Sequence, residues 1–150
     1  MDTKTSLATR HLSKLHFVVE FTFVYLLPSP SYEKRVKDIS SIKVALEEYK
    51  KDHGAFPVAN YSRLINEKFL IDENWIPGLS PKYIQVLPRD VRMDNIPSHQ
   101  YLYVSDGFVY KIIAHGVDDM EGIRKRHPNM IDPRRPGHAF GFWSFGGEGL

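Results

Sequence analysis

A chain of 150 residues fits one domain and is long enough to bury roughly 70% of the surface its unfolded form exposes. A hydrophobic content of 42%, with 13% aromatic residues, excludes general disorder, and a net charge of +2 gives no overall field toward nucleic acid or an anionic surface. Cysteine is absent, so disulfides, thiolate metal sites and a cysteine nucleophile are excluded together.

The first element in the chain is its most apolar stretch, Phe17 to Leu27 (FVVEFTFVYLL), which follows Arg10, His11, Lys14 and His16. As a helix it reaches only ~16 Å, about half of a ~30 Å hydrocarbon core, and Glu20 interrupts it. Extending it back to Leu7 brings in Arg10 and Lys14, each costing about 2.5 to 3.5 kcal/mol at the bilayer centre. A secretory signal would need a small-residue cleavage site, and Pro28 and Pro30 follow instead. Residues 1–29 are therefore read as an atypical or truncated anchor, with packing on the protein's own core as the alternative, and 30–150 as the globular domain.

Ser29 as N-cap, Pro30 at the first helical position and Glu33 in the first turn predict a helix that runs to about His53. Tyr32, Val36, Ile39, Ile42, Leu46 and Tyr49 recur at three- and four-residue steps and form one apolar stripe. The pairs Glu33 with Lys37, Lys34 with Asp38, Lys43 with Glu47 and Glu47 with Lys51 predict a solvated opposite face. Gly54 is the expected C-cap, and Pro57 prevents continuation.

Tyr61 to Leu70 suggests a short second helix, and Tyr83 to Leu87 a short strand closed by Pro88. Gln100 to Val104 and Phe108 to Ile113, joined through Ser105, Asp106 and Gly107, predict a hairpin. Beyond Gly116 the chain reads as polar and irregular until Phe140 to Phe145, whose spaced aromatics suggest a last strand or a tail packed on the sheet. The expected fold class is α+β: a long helix packed on a small antiparallel sheet, with an irregular C-terminal tail.

The run D-I-x-x-I-K-x-A-L-E-x-Y-K-x-D-x-G-x-F-P from Asp38 to Pro57 resembles the signature of type II secretion pseudopilins and related type IV pilin-like proteins. Trp75, Tyr83-Ile84, Leu87-Pro88-Arg89-Asp90, and Tyr101-Leu102-Tyr103 with Ser105-Asp106-Gly107 and Tyr110 continue the resemblance, which covers about Tyr32 to Ile113. It implies a pilin-like fold and a structural subunit of an envelope filament that supports protein secretion, without enzymatic activity or a small-molecule substrate. Self-association into a helical filament is implied, with other pseudopilins and an inner-membrane assembly platform as partners. The implied place is the bacterial inner membrane, entered through residues 17–27, with the globular domain in the periplasm.

By the same resemblance Phe17, Glu20 and Phe21 are the assembly residues, Glu20 supplying a carboxylate for a neighbour's terminal amine. Processing and methylation of Phe17 belong to the family pattern, and His16 stands where that pattern has Gly. The major pseudopilin also has a calcium loop near its C-terminus. Asp118, Asp119 and Asp132, with Glu121 nearby, are weak calcium candidates, since Ca²⁺ needs six to eight oxygens and the loop's glycine and acidic spacing is missing. The bland reading is surface carboxylates in a chain without a cofactor.

Rival chemistry is thin. The histidines 11, 16, 53, 99, 115, 127 and 138 lack metal-binding spacing on a predicted helix, and no nucleophile elbow or phosphate-binding loop follows a strand. Arg124, Lys125, Arg126 and His127, with Arg134 and Arg135, form the strongest competing signal, because clustered guanidiniums neutralise phosphates. Prolines 128, 133 and 136 predict a loop there, so nucleic-acid binding is not expected. The alternative function is a soluble binding module built on a pilin-like domain that forms no filaments.

Overall fold

The computed structural model describes residues 30–59, 73–92, 96, 99–118 and 120–150. The apolar stretch at 17–27, with Phe17, Glu20 and Phe21, and the helix expected over 61–70 lie outside them. Helix α1 runs unbroken over Pro30–His53. Gly54, at φ 74°, adopts the left-handed conformation that ends helices and donates its N–H to the Lys50 carbonyl at 2.7 Å.

A three-stranded antiparallel sheet in the order β1-β2-β3 follows: β1 Tyr101–Ser105, β2 Tyr110–His115 and β3 Ala139–Trp143. The register pairs Tyr103 with Ile112 and Ile112 with Phe142, so Tyr101, Tyr103, Tyr110, Ile112, Ala114, Phe140 and Phe142 share one face. Those residues join Tyr32, Ile39, Ile42 and Leu46 of α1 in one core, with Val36 and Tyr49 half-buried against it. Each fully buried aliphatic side chain contributes about 1.5 to 3 kcal/mol, which ties the stripe of α1 to the sheet.

Three expectations change on contact with the structure. The segment at 83–87 is a turn instead of a strand, because Leu79 accepts the N–H groups of both Tyr83 and Ile84 and Ser80 Oγ donates to the Gln85 carbonyl. The hairpin starts β2 two residues late: Asp106 Oδ1 accepts the N–H groups of Phe108 and Val109 and keeps both in the loop. Finally, the region beyond Gly116 is ordered. It forms helix α2 over Met120–Arg126, a 3-10 turn over Pro128–Met130 and then β3. Met120, Ile123 and Met130 anchor it by burial in the core.

Strand β3 approaches β2 closely at Gly141. A Cβ at this position would lie 1.9 Å from the Ile112 carbonyl oxygen, so only glycine fits the pairing. Among the described residues each outer strand also carries one further bridge, Ala59 with Ser105 beside β1 and Ile131 with Phe140 beside β3.

Candidate assembly surface

Several motif residues between Asp38 and Tyr110 are fasteners that tie α1, and the segment just after it, to the sheet. Tyr101 donates its hydroxyl to Asp38 Oδ2 at 2.7 Å, and Tyr103 donates to the Pro57 carbonyl at 2.8 Å. Tyr110 reaches Glu47 Oε1 at 3.4 Å. Burial pushes all three tyrosine hydroxyls up, and the neighbouring Asp38 and Glu47 carboxylates push Tyr101 and Tyr110 further, so each stays a neutral donor. The expected pair of Lys34 with Asp38 forms at 2.5 Å, but Asp38 is buried, not part of a solvated face.

A second fastener was not foreseen. Arg35 points inward and holds the fully buried Asp90, through Nε at 2.7 Å and Nη2 at 3.1 Å. Arg92 Nε donates to Asp90 Oδ1 at 2.8 Å, and its Nη atoms satisfy the carbonyls of His99, His115 and Gly116. Burial would raise the Asp90 carboxyl, yet the hydrogen bonds from Arg35 and Arg92 prevail and hold it below its ordinary value. Asp90 closes the L-P-x-D stretch singled out in the sequence, and its place against α1 gives that motif a physical purpose.

The far face of the sheet carries a third cluster. Lys111, on β2 and fully buried, donates Nζ to Asp132 Oδ1 at 3.0 Å and to the Glu148 and Leu150 carbonyls at 2.7 and 2.8 Å. Its ammonium also lies 5.7 Å from the centre of the Trp143 ring. Asp132 further accepts from the Arg134 N–H and from Arg135 Nη1, both at 3.0 Å. Burial opposes ionisation of Asp132, but these donors and Lys111 outweigh it and depress its carboxyl.

These contacts correct the reading of Asp132 as a surface carboxylate, while Asp118 and Glu121 lie at the surface. Asp132 is buried and fully engaged with cations; Asp118 is exposed, and Asp119 lies outside the described residues. Among the described residues no three His, Asp or Glu side chains converge to hold a metal ion. The shallow cleft between Trp75, Pro88, Arg89, Gln100 and Tyr101 encloses about 0 Å³, against the roughly 300 Å³ at which small-molecule sites begin.

The outward side of α1 exposes Glu33, Lys37, Ser41, Val44, Glu48 and Lys51 along its whole length, with Val44 at 63%. The arginine-rich segment, expected as a loop, occupies the last turn of α2 and reaches the first turn of α1: Arg126 Cζ lies 4.5 Å from the centre of the Tyr32 ring, and the His127 ring 5.9 Å. Its signal in the sequence was weak because α2 buries only Met120 and Ile123, too few for a period. Among the described residues no helix is long and apolar enough to cross a membrane. Comparisons of the chain with protein-family models, curated proteins and solved structures find no match.

Proposed function

We propose that the chain is a pilin-like structural subunit that packs into an envelope filament through its long helix, in the manner of a type II secretion pseudopilin. The observation that carries this reading is the one-sided roofing of α1. Its Ile39, Ile42 and Leu46 side is covered by the chain's own sheet, while its opposite side presents an uninterrupted exposed strip from Glu33 to Lys51. A rod of this kind offers the same strip on every copy, and head-to-tail contact between two different patches generates an open helical array. Phe17 to Leu27, immediately ahead in the chain, supplies an apolar segment for membrane insertion or contact between subunits. Within this reading Glu20 pairs with a neighbour, and Phe17 and Phe21 pack beside it.

A photo-crosslinking amino acid placed at Val44 of the full chain, produced in a bacterium with a secretion assembly platform, tests the reading. Illumination is expected to give a ladder of covalent multimers from the membrane fraction. A chain recovered entirely from the soluble fraction without multimers overturns it and favours the soluble binding module.

A further inference from the structure

The proposed filament role does not use the cationic end of the domain, although its position is specific. Arg124, Lys125 and Arg126 are exposed on the last turn of α2, and Arg134 is exposed on the turn that Arg124 grips through the Pro136 carbonyl. Arg126 stacks on Tyr32 in the first turn of α1, where Lys34 is paired with Asp38 and the exposed Lys37 is balanced by the exposed Glu33, so the positive charge of this end comes from the α2 side. Glu121 pairs with Lys125 at 2.8 Å, and Asp118 lies ahead of the opposite end of α2. Asp132 is buried and already committed to Lys111 and Arg135. The surface at this end is therefore cationic, in a chain whose net charge is only +2.

Tyr32 follows Leu27, the last residue of the apolar stretch, by a few positions, and that length of chain spans at most about 18 Å even when fully extended. We propose that Arg124, Lys125, Arg126 and Arg134 form a contact surface for the phosphates of anionic lipid headgroups. The inference rests on the proposed membrane engagement of Phe17 to Leu27, which would hold the basic end within reach of the headgroups. Lipid suits this surface better than nucleic acid does. Helix α2 is about 10 Å long and closed by Pro128, so it provides no reading element for a groove, whereas a broad cationic end needs only a charged plane. Each basic side chain near such a plane is expected to contribute roughly a fivefold gain in partitioning.

The full chain is mixed with vesicles of phosphatidylcholine alone and of phosphatidylcholine with phosphatidylglycerol, at low and high salt, and sedimented. The native chain is expected to prefer the anionic vesicles at low salt and to lose the preference at high salt. Arg124→Glu with Lys125→Glu is expected to reduce binding to anionic vesicles at least tenfold and to leave binding to neutral vesicles unchanged. Arg134→Glu alone, which leaves α2 intact and gives up its bond to the Gly149 carbonyl, is expected to give a severalfold loss, and an unchanged circular dichroism spectrum of each variant guards against a folding defect. Equal binding to both compositions, or a preference that survives all the reversals, overturns the proposal. So does displacement from anionic vesicles by duplex DNA at equal phosphate. Binding to anionic vesicles without any binding to neutral ones upholds the cationic surface while removing the apolar segment as an anchor.

Discussion

The long helix and the C-terminal region beyond Gly116 are built on opposite principles. Helix α1 is held by an apolar stripe that recurs along one stretch of sequence, so local periodicity is enough to reveal it. The C-terminal region is held by a few buried anchors and by Lys111, which gathers Asp132, Glu148 and Leu150 from well separated positions. Charge pairing across such distances leaves no period, and a segment rich in Pro, Gly and Arg then reads as irregular even when it is ordered.

The largest expected effect falls on the C-terminal side of this contrast. Gly141→Ala places a methyl group against the Ile112 carbonyl, which can only be relieved by separating β3 from β2. A loss of more than about 4 kcal/mol and of cooperative thermal unfolding is expected by calorimetry. Lys111→Met leaves the buried Asp132 with Arg135 as its remaining cation and the Glu148 and Leu150 carbonyls without their donor, and urea titration is expected to show a loss of about 3 kcal/mol. Replacing Asp132 by Leu in the same chain should restore part of that loss, because the buried carboxylate is gone and the half-buried Arg135 can turn its guanidinium to solvent. A double variant no more stable than Lys111→Met would remove the ion pair as the organiser of this region.

On the helical side, Leu46→Ala is expected to cost about 2 to 5 kcal/mol in the same titration, the range for emptying a fully buried aliphatic site. Acid probes both regions at once. Asp90 and Asp132 have depressed carboxyl values in the folded chain, so the unfolded chain takes up protons first. Their stabilisation is complete above the ordinary value of 3.8 and is lost as pH falls through it toward the lower folded values. Asp90→Asn should flatten that acid limb; an unchanged limb would break the assignment. The smallest effect is expected at Val44→Glu, within about 0.5 kcal/mol in the isolated domain. Any loss of multimers in this variant then belongs to the outward face of α1.

Much of the fold was legible because α1 and the hairpin speak in local patterns: Pro30 and Gly54 bound the helix, and the aromatic runs around Asp106-Gly107 mark the turn. The bounds of β2 slipped because Asp106 uses its side chain to extend the loop. Tyr83 to Leu87 has strand composition, but its backbone donors are spent within the turn. Of the site, the sequence showed the stripe and the arginine cluster as sets of residues, yet not their placement. The buried pairs Arg35 with Asp90 and Lys111 with Asp132 were hidden, since a charged residue on a polar helix face or in a β-run looks the same whether or not a distant partner exists. Apolar side chains declare their burial in advance; ionic ones do so only once the chain is closed.

The bridges at Ala59 and Ile131 bear on how the protein can go wrong as well as on how it works. Each blocks part of an outer β-edge at Ser105 and Phe140, where another polypeptide could otherwise dock by backbone pairing. Amyloid-type growth at these two positions must first strip those latches, which slows the ribbon route. Concentrated samples are thus expected to stay dark with thioflavin dyes until the fold itself is lost.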